Sequence, residues 1–289
     1  MRVLRWGAVV ALCSAGAFWA LTRPAPLPNT AFAPGNPEIG AEIFVAGGCS
    51  SCHAEKGSEG DDKLVLSGGR GFETPFGTFY APNISPSQVG IGGWSDAEFI
   101  RAMQAGVSPD GKHYYPAFPY VAYANADAQD MVHLKAYIDT LPASDAINQE
   151  HELALPFRLR RGLGLWKRLY ANKGWVMEPV EDPQLILGRM LVEGLAHCGE
   201  CHTKRDGFGG LKRDAWLTGA PNPSGAGRIP GITPSQLAWS EEDIAYYLET
   251  GFTPDFDTAG GSMAEVVENT ALLSAEDRAA IAAYLKAVQ

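Results

Sequence analysis

The sequence predicts a mainly α protein made of two tandem modules. Three observations carry this. The pattern Cys-x-x-Cys-His occurs twice, at Cys49–His53 and Cys198–His202. Helix-start signals recur in the same order around both copies, an internal repeat. Neither copy sits in a strand–helix alternation, so a parallel sheet is not expected.

The repeat opens with helix starts. Asn36-Pro37-Glu38 offers an N-cap, a first-turn proline and a first-turn acid ahead of Ile39, Ile43 and Phe44. Asp182-Pro183 does the same ahead of Leu185, Leu187, Met190 and Leu191. Each helix runs into its cysteine motif. A long Gly/Pro-rich loop follows, with Pro82-Asn83-Ile84-Ser85-Pro86 in one copy and Pro230-Gly231-Ile232-Thr233-Pro234 in the other. Capping boxes at Ser95–Glu98 and Ser240–Asp243 start a third element, which ends at Gly106 or Gly251. A loop then leads to a last helix, Asp127 to Leu141 or Ser274 to Val288. Gly40 and Gly188 are expected where first and last helices cross, against Tyr137 and Tyr284.

Two thiols spaced by two residues, with histidine next, form the attachment pattern of a c-type haem. Cys49 and Cys52, then Cys198 and Cys201, are the expected thioether residues, and His53 and His202 the expected proximal iron ligands. A thioredoxin-like pair needs a βαβ context. Zinc-ribbon pairs lie roughly 15–20 residues apart; these pairs are separated by most of the chain. Two covalently bound haems c are therefore expected. The order helix, motif, loop, helix, ligand loop, helix is that of a class I cytochrome c domain. The fold class is thus mainly α, two such domains in tandem, each a few helices and long loops around one haem.

The sixth ligands are expected to differ. Met263, in Gly260-Gly261-Ser262-Met263, lies twelve residues after Gly251 and is the expected distal ligand of the second haem. The same offset from Gly106 falls on Phe118, which cannot bind iron. Met103 and Met131 fall on helices and read as core. His113 and His133 are further donors. The first site stays open: another ligand brought in by the fold, or a five-coordinate iron.

The flanks set the compartment. Arg2 and Arg5 precede an uncharged stretch, Trp6 to Thr22, the pattern of an export signal or signal anchor over 1–22. An uncleaved inner-membrane anchor is the preferred expectation, with a cleaved signal (Ala15-Gly16-Ala17) as the alternative. Residues 23–36 read as a proline-rich linker. The domains are expected at 37–145 and 182–289, joined by a basic and aromatic connector over 146–181. That connector carries Arg158, Arg160, Arg161, Lys167, Arg168 and Lys173, with Trp166, Tyr170 and Trp175 interleaved. It is either a wrapping linker with aromatics inward, or a surface for a membrane or an acidic partner. A formal net charge of −10 argues against nucleic acid. Hydrophobic content of 46% excludes a disordered chain.

Pro75-Phe76-Gly77-Thr78-Phe79-Tyr80-Ala81-Pro82-Asn83-Ile84-Ser85-Pro86, Gly92-Gly93-Trp94-Ser95 and Tyr115-Pro116-Ala117-Phe118-Pro119-Tyr120 resemble multihaem cytochrome c subunits of bacterial membrane-associated dehydrogenases. His197-Cys198-Gly199-Glu200-Cys201-His202-Thr203 and Met263-Ala264-Glu265-Val266-Val267 are similar too. Many such relatives have methionine at the place of Phe118 or of Ala126. The resemblance implies a periplasmic electron conduit. A separate dehydrogenase acting on an alcohol, aldehyde or sugar acid would donate electrons. Another cytochrome, quinone or oxidase would accept them. The competing expectation is a dihaem enzyme, peroxidase-like or oxidising a sulfur compound, that uses an unusually ligated first haem.

Overall fold

The computed structural model describes residues 2–171, 174–223, 225 and 227–288. Lys173 of the basic connector lies outside the described residues.

The N-terminal segment forms helix α1 (Arg2–Leu21). Its apolar side chains, Trp6, Val10, Leu12 and Trp19 among them, are exposed. Among the described residues no helix is long and apolar enough to cross a membrane. The expected spanning anchor gains no support from this. Arg2 and Arg5 occupy the first turns of α1.

The first half begins with α2 (Pro37–Ala46), where Asn36 Oδ1 accepts from the Glu38 N–H at 2.8 Å. The first cysteine motif is itself a short helix, α3 (Cys49–His53). A hairpin follows, β1 (Gly71–Thr74) and β2 (Gly77–Tyr80), antiparallel with Phe72 opposite Phe79. Next come α4 (Asp96–Ala105), α5 (Tyr120–Tyr123) and α6 (Ala128–Ile138). Ser95 and Glu98 complete the capping box of α4, and Gly106 ends it at φ 59°, a left-handed cap that suits glycine. The connector supplies β3 (Glu152–Leu153), which pairs with β2, and α7 (Leu163–Tyr170). This small sheet was not expected from the sequence.

The second half repeats the order. After α8 (Pro183–Arg189) the expected helix does not simply continue; Met190–Leu195 widen into a π-helical turn. The second motif is α9 (Gly199–His202). A two-residue pair, β4 (Ala220–Pro221) and β5 (Arg228–Ile229), replaces the hairpin. Then come α10 (Glu241–Thr250), α11 (Ser262–Thr270) and α12 (Ala275–Ala287). Capping boxes at Ser240/Asp243 and Ser274/Asp277 start α10 and α12.

Both predicted crossings form. A Cβ added at Gly40 would collide with the His133 carbonyl oxygen and stand 2.8 Å from Tyr137 Cβ. At Gly188 the collision is with the Ala280 carbonyl oxygen, and Tyr284 Cβ stands 2.9 Å away. Only glycine lets α2 pack on α6, and α8 on α12, this closely. The core runs continuously through both crossings, from Ile43, Phe44 and Met131 to Leu191, Ile281 and Tyr284. Burial of these side chains, at about 1.5–3 kcal/mol each, is what offsets the entropy of ordering the long loops.

Candidate haem sites

The loop bonds around the two motifs correspond one to one. The Gly68 N–H donates to His53 O at 2.7 Å, and the Gly219 N–H to His202 O at 2.7 Å. The Ile84 N–H donates to Leu66 O at 3.0 Å, and the Ile232 N–H to Leu217 O at 2.9 Å. These bonds fold each Pro-rich loop back over its histidine. As a result His53 Nδ1 lies 2.8 Å from Pro82 O, and His202 Nδ1 lies 2.8 Å from Pro230 O. A carbonyl accepts only from a protonated ring nitrogen, so each imidazole carries its proton on Nδ1 and presents a bare Nε2. Burial lowers the pKa of both histidines, against a smaller opposing effect of the carbonyl bonds. A neutral, oriented imidazole is the form that binds iron.

The thiols sit in apolar surroundings. Burial pushes Cys49 and Cys198 up to about 12. Cys52 rises to about 11, mainly through burial, with Arg70 opposing and Glu265 and Cys201 adding to the rise. As free thiols they stay protonated and unreactive, since the thiolate is the reactive form. Around Cys49 a crevice is bounded by Ile43, Met103, Tyr123, Met131, Leu134 and Leu195. An apolar crevice, two thiols and a free Nε2 fit a covalently held haem, in which those thiols and that nitrogen are bonded.

The segments after Gly106 and Gly251 begin alike. The Tyr114 N–H donates to Gly106 O at 2.7 Å, and the Ala259 N–H to Gly251 O at 2.8 Å. Val107 bridges His113 as Phe252 bridges Thr258. Four residues beyond these bonds come Phe118, in a bend before α5, and Met263. Met263 lies not in a loop but at the start of α11, partly buried against the core. Phe118 lies within an aromatic cluster, with ring centroids 5.9 Å from Tyr114 and 5.9 Å from Tyr123. Met103 and Met131 are core residues of α4 and α6. His113 is turned to α1, its Nε2 2.9 Å from Thr22 O, and His133 Nδ1 accepts from the Asn36 N–H at 2.8 Å. Ala126 is a core position whose carbonyl accepts from Gln104.

Each half leans its distal segment on the motif of the other. From α11, Asn269 Nδ2 donates to Ser51 Oγ at 2.7 Å. Glu265 takes a bidentate pair from Arg70 at 2.8 and 3.0 Å, and Arg70 also donates to Ser51 O. In the other direction, α5 packs on the π-helical turn, and the Tyr123 ring lies 5.7 Å from that of His197. His197 directly precedes Cys198 with φ 41°; Gly48 precedes Cys49 with φ 57°. The sequence signalled Cys, His and Met, but not Tyr123, Arg70, Glu265 or His197, because their roles arise only once the halves meet. The shared left-handed step before each motif was legible at Gly48 alone.

This is the architecture of a cytochrome c, and the cytochrome c family model matches residues 37–142. A diheme cytochrome c-type protein of Cereibacter sphaeroides is 52% identical over 284 residues, covering 97% of this chain and 96% of that protein. The chain belongs to this dihaem c-type cytochrome family, which implies covalent haem c as the cofactor. It is also 36% identical to the fructose dehydrogenase cytochrome subunit of Gluconobacter japonicus, over 91% of this chain and 54% of that protein. With the gluconate 2-dehydrogenase cytochrome c subunit of Pantoea cypripedii it shares 37% identity, over 86% of this chain and 58% of that protein. The chain thus spans little more than half the length of these two dehydrogenase subunits.

Proposed function

We propose that the chain is a periplasmic two-haem electron conduit, with cytochrome c domains at 37–145 and 182–289. Cys49 and Cys52 hold one haem and Cys198 and Cys201 the other. His53 and His202 ligate the irons through Nε2, and Met263 is the sixth ligand of the second. The haem supplies a reversible one-electron change at its iron. The protein's part is to orient the imidazoles through Pro82 and Pro230, to exclude water, and to fix the motifs against one another.

The observation that carries this reading is the meeting of the two motifs. Asn269 of α11 bonds Ser51 in the first motif at 2.7 Å, and the Tyr123 ring, which shares a crevice with Cys49, lies 5.7 Å from that of His197. Haems held by these cysteines would be attached close to one interface between the halves, which suits transfer between them. By analogy with the fructose and gluconate dehydrogenase subunits, the donor is an exported dehydrogenase that oxidises a small alcohol, sugar or aldehyde. The acceptor is another cytochrome, a quinone or an oxidase. The dihaem-enzyme alternative gains no support from these relatives. The test is haem content and reduction by such a dehydrogenase with its substrate. Two covalent haems per chain, both reduced and then reoxidised by an added acceptor, are expected. One haem, or peroxide turnover in place of transfer, would overturn the reading.

A further inference from the structure

The connector is in part the wrapping linker that its composition suggests. Its aromatics turn inward. Trp166 Nε1 donates to Phe208 O at 3.0 Å, Tyr170 OH to Asp206 at 2.8 Å, and Arg189 stacks on Trp175 at 4.7 Å. What it presents outward is aliphatic and basic. Leu155, Leu159 and Leu169 are 74%, 67% and 72% exposed, and Phe157 and Leu165 are exposed beside them. Arg158 and Arg168 are exposed in the same run. No acid occurs from Leu155 to Met177, in a chain whose net charge is −10. On α7, Leu165, Arg168 and Leu169 share one face by helical spacing, with Arg161 in the turn just before it.

This face is continuous with the end of α1. Arg161 donates to Thr22 Oγ1 and to Trp19 O, both at 2.8 Å, and stacks on the Trp19 ring at 4.1 Å. Arg168 donates to Leu21 O at 2.6 Å. Cationic donors on the last carbonyls of a helix are favourable. Gly164 leaves room for Thr22, whose Cβ would lie 2.8 Å from a Cβ added there. The C-terminal turn of α1, with Trp19 and Leu21 exposed, and the apolar face of α7 therefore form one supported surface.

We infer that this surface, Leu155–Leu169 with the end of α1, docks the protein on a bilayer bearing anionic headgroups. Aliphatic side chains standing among arginines with no acid match an interfacial surface, where apolar groups enter the acyl boundary and cations meet lipid phosphate. The match needs no helix to cross the bilayer. A basic protein partner would not be attracted here, and an acidic soluble partner needs no row of exposed leucines.

The test uses the full, haem-loaded chain in flotation with phosphatidylcholine vesicles, with and without phosphatidylglycerol. Binding is expected to strengthen about tenfold or more with phosphatidylglycerol and to weaken with added salt. Leu155→Ser/Leu159→Ser/Leu169→Ser should weaken it by about tenfold or more. An unchanged haem spectrum verifies folding of that variant. Equal binding by variant and wild type would leave α1 alone responsible and overturn the inference, as would indifference to phosphatidylglycerol. If the variant loses an acidic soluble dehydrogenase but keeps the vesicles, the face belongs to that protein.

Discussion

Gly48 and His197 hold the same place in the two halves, one residue before the first cysteine, and both adopt left-handed backbone. Glycine does so freely; histidine pays about 1–2 kcal/mol for it. The imidazole gained is the ring that meets Tyr123. Phe118 and Met263 diverge in the same manner, a ring in an aromatic cluster against a thioether at a helix start. The frame of loop bonds is common to both halves. The differences gather where one half faces the other and where an iron would be faced from its open side. Duplication preserved the scaffold and separated the chemistry.

The sharpest way to break the comparison is Met263→Ala, which would make the second site resemble the first. On the proposed ligation, ferrous protein should bind carbon monoxide at one more haem than wild type, read by titrated absorption change. Unaltered binding would remove Met263 from the ligand set. Next in size is Gly188→Ala. The added methyl meets the Ala280 backbone, so a loss of roughly 3 kcal/mol or more is expected in denaturant unfolding. Gly40→Ala should match it within about 1 kcal/mol, because both crossings present the same backbone obstacle.

Smaller effects test the unequal contacts. Gly48→Ala should cost about 1–2 kcal/mol from backbone strain alone, since the nearest atom to its new Cβ is Asn269 Nδ2 at 3.6 Å. His197→Gly should do the reverse in stability, by about 1 kcal/mol, while slowing electron exchange between the two haems after a flash. Glu265→Gln should cost about 1 kcal/mol, a modest figure because its side chain is 38% exposed.

A pH measurement tests the connector. Lys167 donates to Ala105 O and Gly106 O, both at 2.6 Å, and burial brings its pKa down to about 7. Between that value and about 10.4 the unfolded chain binds the extra proton, so stability should rise with pH across this window. Below pH 7 the contribution is flat. Lys167→Met should abolish the slope.

Much of the scaffold was legible because its signals are local. Asn36, Asp182 and the Ser/acid boxes cap within three residues, and each capped helix formed. The first eight residues after Gly106 and Gly251 likewise run in parallel, held by one short loop bond in each half. The π-helical turn at Met190–Leu195 was illegible, because its residues carry an ordinary helical pattern and the widening accompanies packing on α5. β3 has only two residues and exists because β2 offers an edge. In α1 the apolar run was legible from Trp6 to Leu21, and it forms one helix.

The crossed support described above has a consequence for inheritance. Ser51 is steadied by Asn269, and the turn before Cys198 by α5. Neither half owns the wall that closes its own motif. A gene cut within residues 146–181 would therefore yield two fragments, each with one flank bare. Expressed together they should re-pair; expressed singly they should lose haem or aggregate. Each half of this chain is completed by the other.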